Sequence, residues 1–176
     1  MFLAFSAILG FVSSPEMLTT GRAAQLLGSS RQHVVDLCER GEISFTWAGH
    51  HRRIARSELD RVLRRTFTRE QERSLWLHRA VAGRLVMDPD ATLAKARANI
   101  DKLLVVHRGT RAGEYVRRWQ TLLQGGTDGI LDALTSFSPE AAELRQNSPF
   151  AGALSEDERR ACHAAFRKHW RDEHAA

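Results

Sequence analysis

Cysteine is scarce in this chain of 176 residues: there are two, Cys38 and Cys162. Each lies in an apolar helical pattern with no partner nearby in sequence. This argues against a disulfide-stapled secreted scaffold and suits a reducing cytoplasm. Nor is there an apolar run long enough to span a bilayer. The longest, over residues 1–12, is too short and lacks the basic start of a secretory signal. Residues 1–16 are expected to be an apolar N-terminal extension. An assigned start upstream of a natural start at Met17 is the preferred explanation, ahead of an apolar arm packed on a partner and of a membrane anchor. Catalytic signatures are also missing: the chain has no glycine-rich phosphate loop, no carboxylate pair at a recognisable spacing, no Ser-x-x-Lys and no nucleophile elbow. His50-His51 and Cys162-His163 lack the companion ligands that a zinc site needs. No enzyme activity, cofactor or metal is expected, and no internal repeat or low-complexity tract interrupts the chain.

What the chain does carry is arginine, unevenly spread. The formal net charge is +5. Residues 18–73 hold 11 arginines against 7 carboxylates, a surplus of four, whereas residues 74–176 have a surplus of only two. The basic excess thus sits in the first third, as it would in a module that meets a polyanion.

The same stretch has the punctuation of two short helices. Thr19 or Thr20 can cap a first helix with Ala23, Ala24, Leu26 and Leu27 on its apolar face. Gly28-Ser29 breaks it, and Ser30 caps a second helix, Arg31 to Arg40, that buries Val34, Val35, Leu37 and Cys38. Gly41 follows where a helix C′ glycine belongs. Ile43 to Trp47 alternates apolar and polar, the period of a half-buried strand. Gly49 permits a turn, His50-His51-Arg52-Arg53 makes a basic tip, and Ile54 returns to the core. Ser57 is expected to cap a third helix with Leu59, Val62 and Leu63 inward and Arg56, Arg61, Arg64 and Arg65 outward. Two helices, a basic wing and a closing helix are the parts that place one helix in the major groove of DNA.

Residues 18–65 resemble the excisionase-family helix-turn-helix module, a relative of the MerR-type winged DNA-binding head. The resemblance rests on Ala23-Ala24, Leu26-Leu27-Gly28, Ser30-Arg31, Gly41-Glu42-Ile43 and His51-Arg52-Arg53-Ile54. Ser44 departs from it, standing where proline is usual. The resemblance covers about a quarter of the chain and implies double-stranded DNA binding, as a dimer or in tandem, without catalysis. The expected DNA-binding residues are Thr20, Ser29, Ser30, Arg31, Gln32, His33, His50, His51, Arg52 and Arg53. Arg31 can fork to guanine and Gln32 to adenine, or either can grip phosphate and fix register only. His33 faces DNA or covers the helix flank. Arg61, Arg64 and Arg65 are solvated charges or phosphate contacts.

Residues 69–176 read as an all-helical body following a head at residues 17–68, so the chain is expected to be mainly α, with a short β-hairpin wing. A helix over residues 70–87 carries Leu77, Val81 and Leu85, with Trp76 alongside. Asp88-Pro89 opens the next, with Leu93, Ala96, Ile100, Leu103 and Leu104 on one face. His107 to Gly113 is expected to be a loop. Tyr115 to Leu123 forms another stripe, stopped by Gly125-Gly126, and a short helix runs past Ile130 and Leu134. Ser138-Pro139 opens a further helix to Arg145, and Ser155 to Glu158 has capping-box spacing before a last helix to Trp170. Residues 144–154, between two well-capped helices, lack helical period. Phe150 either plugs this chain's own core, or anchors a protein partner with Leu154 while Arg145 rims the contact.

An excisionase-like head on a helical body of this size resembles bacterial antitoxins paired with a PIN-domain nuclease or nucleotidyltransferase toxin. That resemblance implies a head that binds its own promoter and a body that covers the toxin, acting in the cytoplasm and without membrane attachment. The alternatives are a stand-alone transcription regulator whose body forms a homodimer or senses a ligand, and a recombination directionality factor.

Overall fold

A computed structural model describes residues 16–175; the expected extension over residues 1–15 lies outside the described residues. The chain divides into two compact units, with the division between Leu63 and Arg64. The boundary expected after residue 68 corresponds to the next helix start, capped by Thr68.

The head begins with a strand that the sequence pattern did not announce, β1 (Met17–Thr19). Only Leu18 of its three residues turns inward, too short a run for alternation to be read. Thr19 then caps α1 (Thr20–Leu27), its Oγ1 accepting from the Arg22 N–H at 3.1 Å. Gly28, at φ +63°, takes the left-handed conformation that closes the helix, and the Ser29 N–H returns to the Ala24 carbonyl. Ser30 caps α2 (Arg31–Glu39) through the His33 N–H at 3.1 Å.

The strand expected from Ile43 starts later, and β2 is Thr46–Ala48. The N–H groups of Glu42 and Ile43 both donate to the Leu37 carbonyl at the end of α2, and that of Ser44 donates to Glu58. Ile43 is buried as a helix stop rather than as a ladder residue. β3 (His51–Ala55) pairs antiparallel with both β2 and β1, giving the order β1-β3-β2. Gly49 at φ +61° is the first of the two residues joining β2 to β3, where a tight hairpin needs positive φ.

The third helix, α3 (Arg56–Arg65), starts one residue before Ser57, so Ser57 is inside its first turn rather than its cap. The Arg56 N–H is already satisfied by the Glu16 carbonyl at 2.9 Å. Leu18, Ala23, Ala24, Val34, Leu37, Cys38, Ile43, Ile54 and Leu59 form the head's core. Val35, expected inside, is only half-buried.

The body consists of α4 (Arg69–Met87), α5 (Pro89–Val106), α6 (Arg111–Gly125), α7 (Thr127–Thr135), α8 (Pro139–Gln146) and α9 (Glu156–Glu173). Capping boxes open α4 and α9, and proline at the first position opens α5 and α8. α6 begins at Arg111, inside the expected loop. Thr110 accepts from the Gly113 N–H and donates to the His107 carbonyl, turning the chain into helix early. Gly113 is required there, since a Cβ would stand 2.3 Å from that same carbonyl.

Trp119 is the centre of the body's core. It is fully buried, its indole N–H donates to the Leu144 carbonyl at 2.8 Å, and Phe150 meets its ring edge-on at 5.5 Å. Residues 147–154 are held against α5: Asn99 donates to the Pro149 and Ala151 carbonyls, and Lys95 to the Gly152 carbonyl. Phe150 is therefore a core side chain of this body, the first of the two alternatives, and its expected part as a partner anchor is corrected. Arg145 is buried as well, at 3% exposure, and does not rim a surface contact. Leu154 is half-buried against the same core.

Candidate nucleic-acid interface

Strand pleating decides which residues of the basic tip face outward. Successive side chains of β3 alternate, so Arg52 shares a face with the fully buried Ile54, while His51 and Arg53 share the other. Arg52 is accordingly drawn inward. Its guanidinium lies 5.2 Å from the Phe45 ring centroid and 5.0 Å from that of Trp47, its cross-strand partner, and it pairs with Glu39 of α2 at 3.1 Å. Phe45 and Trp47 meet edge to face at 5.4 Å. Arg52 thus ties the wing to the end of α2, a role the sequence pattern, four basic residues in a row, did not single out.

Arg53 and its neighbours form a concave groove of about 390 Å³ between the start of α1, α2 and the wing. It is lined by Thr19, Thr20, Gly21, Arg31, Val35, His50, His51, Arg52 and Arg53. The lining contains three arginines and two histidines and no carboxylate, so the potential inside favours a polyanion. Six of the ten expected DNA-binding residues meet here: Thr20, Arg31, His50, His51, Arg52 and Arg53. Thr19, Gly21 and Val35 were not foreseen.

Within the groove, Thr20 is buried and its Oγ1 accepts from Arg31 Nε at 3.2 Å. That bond joins the first helix to the start of the second and holds the guanidinium in one orientation. Among the described residues, the two Nη groups of Arg31 have no acceptor within the protein, leaving a fork for a base edge or a phosphate.

The other four expected residues stand outside the groove. Ser30 serves as the α2 cap, and the Ser29 hydroxyl is buried without a partner. Gln32 is exposed and donates to Asp36 one turn along at 2.8 Å. His33 is exposed on the first turn.

Behind the wing, Glu58 accepts from Arg61 at 2.9 Å and from the Ser44 N–H at 3.0 Å, and Arg61 also donates to the Glu42 carbonyl. The Arg61 bond, followed by the Ser44 N–H, holds the Glu58 carboxyl down at about 2. Arg61 is thus committed to bracing α3 against the turn after α2. Among the described residues no group of three or more His, Cys, Asp or Glu side chains is placed to hold a metal ion, and no helix is long and apolar enough to cross a membrane.

No curated protein and no solved structure gives a match to this chain. The family described as Helix-turn-helix domain matches residues 17–66, the span from β1 through α3. That family binds DNA and is not an enzyme family, and the matched span contains every residue of the cationic groove. Residues 17–66 are the helix-turn-helix, DNA-binding domain of this protein.

Proposed function

We propose that this protein is an autoregulatory repressor that reads its own operator through the head and neutralises a cognate toxin through the body. The observation that carries the DNA-reading half is the carboxylate-free groove between α2 and the wing. In this reading α2 lies in the major groove. Arg31 presents its fork to a base edge while Thr20 fixes it, and Gln32 and His33 face the DNA from the exposed first turn. Ser29 and Ser30 bring the backbone N–H groups at the start of α2 toward a phosphate. His50, His51 and Arg53 track the adjacent backbone, with Arg52 setting the wing's angle.

The toxin half draws on the resemblance to antitoxins with an excisionase-like head and a helical body, the partner being a PIN-domain nuclease or a nucleotidyltransferase. It is supported by a body with its own core and with exposed apolar residues at helix ends: Val86 and Met87 on α4, Val105 and Val106 on α5. These replace Phe150 and Arg145 as the places where a protein would seat. Two heads linked by a homodimer or by bound toxin would raise avidity for a paired operator.

The test is selection of genomic fragments on the full-length chain, with and without the product of the neighbouring gene. Enrichment of the chain's own promoter, tightened by that product, is the expected result. Enrichment of unrelated promoters would replace the proposal with a stand-alone regulator, and enrichment of an element's attachment site with a recombination directionality factor.

A further inference from the structure

Between α4 and α9 of the body runs an open groove of about 520 Å³, a volume in the range of small-ligand sites. On the α4 side Arg69 and Arg73 stand four residues apart, so both project from one face, one turn from each other. On the α9 side Arg160, His163 and Arg167 share a face at spacings of three and four. Phe166 closes the floor, buried beside the Trp76 ring at 6.2 Å between centroids. All four arginines are exposed, so their guanidinium groups can be reached from solvent. Glu70 is the one carboxylate among the lining residues, which leaves a surplus of three positive charges.

The start of α9 shows how a helix ordinarily disposes of such charge. Arg159 pairs with Glu156 and Arg160 with Asp157, each three residues apart. Arg167 has no such relief: the positions three and four residues away are His163, Ala164, Trp170 and Arg171. Arg73 stands three residues from Glu70 and does not pair with it. Among the described residues, the Arg73 and Arg167 side chains have neither an ion pair nor a hydrogen bond. Arg69 lies over the Trp170 ring at 5.8 Å, a contact that takes up none of its N–H groups. Four guanidinium groups thus share one groove at a cost in mutual repulsion that a bound polyanion would relieve.

The planar fork of arginine meets phosphate oxygens two bonds at a time. The charges are spread along the groove rather than gathered at a point. Arg160 and Arg167 are seven residues apart, about 10 Å along the helix axis. Such a row suits a ligand with several phosphates in succession. Charge density also favours phosphates over an acidic peptide. Consecutive phosphates of one nucleic-acid strand rise about 3.4 Å apiece, whereas carboxylates on one face of an extended peptide recur about every 6.6 Å.

We propose that the α4–α9 groove binds a run of phosphates, in which Arg73 and Arg167 clasp phosphate oxygens from opposite walls while Arg69 and Arg160 add charge. Every lining residue belongs to the body. A free oligophosphate and the backbone of a DNA strand both present this chemistry, and the experiment tells them apart.

The experiment follows the four tryptophan indole N–H resonances of the full-length chain during titration with sodium tripolyphosphate and, separately, with random-sequence duplex at constant ionic strength. Trp47→Phe and Trp170→Phe assign two of them. Trp170 carries Arg69 over its ring and reports the groove, whereas Trp47 reports the head. The expected result is a saturable shift of Trp170 with tripolyphosphate. Arg73→Gln or Arg167→Gln should raise its midpoint about tenfold, the loss of one charge-assisted contact. Both variants replace exposed side chains without partners, and unchanged thermal melting verifies their fold. A Trp170 response to tripolyphosphate alone assigns the site to a free oligophosphate. A response to duplex that both variants abolish while Trp47 still moves assigns it to the DNA backbone. A Trp170 signal that neither probe moves overturns the proposal, as does a response undiminished in both variants. Hexaglutamate with a midpoint at or below that of tripolyphosphate overturns the assignment to phosphate.

Discussion

Replacing Arg52 and Arg53 one at a time separates a wing that contacts DNA from a wing that is merely basic. The two residues are adjacent and equally charged, but the pleat of β3 turns them to opposite faces. Both line the groove, but Arg52 is engaged by Phe45, Trp47 and Glu39, so Arg53 is the one expected to meet a phosphate. Losing that contact should lower the slope of log K against log salt by about 0.9. At 0.15 M salt the same loss is about fivefold in affinity. Arg52→Ala should act on the fold instead. Two cation–π contacts at 5.2 and 5.0 Å are worth about 0.5–1 kcal/mol each, and the partly exposed pair with Glu39 adds a few tenths. The sum, about 1–2 kcal/mol, should lower the head's Tm by roughly 5–15 °C. The assays are anisotropy of a labelled random-sequence duplex across a salt series, which needs no knowledge of the operator, and thermal melting of the full-length chain by scanning calorimetry. Arg52→Ala with an unchanged Tm and a reduced salt slope would refute the facing assignment. Arg53→Ala with an unchanged slope would remove the wing from the interface.

Arg31→Ala should cost about 1–3 kcal/mol on the selected site and much less on random duplex if the fork reads a base; equal losses in competition binding would make it a phosphate contact. Phe150→Ala should cost about 3–5 kcal/mol, seen as a lower unfolding midpoint of the body in urea, because it empties the space beside Trp119; an unchanged midpoint would return Phe150 to the surface. His78 has a folded pKa near 4, below its ordinary value of 6.5, chiefly because burial disfavours the charged ring. The unfolded chain therefore takes up the proton first, and the body should lose up to about 3 kcal/mol as pH falls from 6.5 to 4, levelling off below. A His78→Leu variant with the same pH profile of stability as wild type would show that another group governs it.

Features carried by local chemistry were legible in the sequence. Gly28, Ser30, Gly41, Gly49, Asp88-Pro89 and Ser155 to Glu158 each act within a turn or two of themselves, so their spacing was enough to place helix ends and the hairpin. Features set by a distant partner were not. Ile43 alternates correctly with Phe45 and Trp47, yet its N–H is taken by the Leu37 carbonyl, and the strand starts three residues later. Ser57 has the chemistry of a cap, but a carbonyl from Glu16, forty residues upstream of the Arg56 N–H it receives, makes a cap unnecessary. β1 escaped notice because three residues carry too little alternation to be seen before their partner strand is known.

The groove shows the same division on a finer scale. That Arg31, His51 and Arg53 belong to one basic constellation follows from composition, whereas the separate part of Arg52 follows only from register. Composition would count Arg52 and Arg53 as two equal charges for DNA. The Trp47–Arg52 pairing instead puts Arg52 beside two aromatic rings and a carboxylate, where its removal loosens the wing. The Thr20–Arg31 bond works in the opposite direction. It fastens Arg31 to the first helix through Nε while leaving both Nη groups without an acceptor in the protein, so in the proposed DNA-reading role one arginine would serve the fold and the reading together. A Thr20→Val substitution, which keeps the shape and removes the acceptor, should therefore relax discrimination between bases more than it weakens binding to random duplex. Orientation of the fork is the property that Thr20 supplies, and charge, which random duplex mainly senses, is untouched.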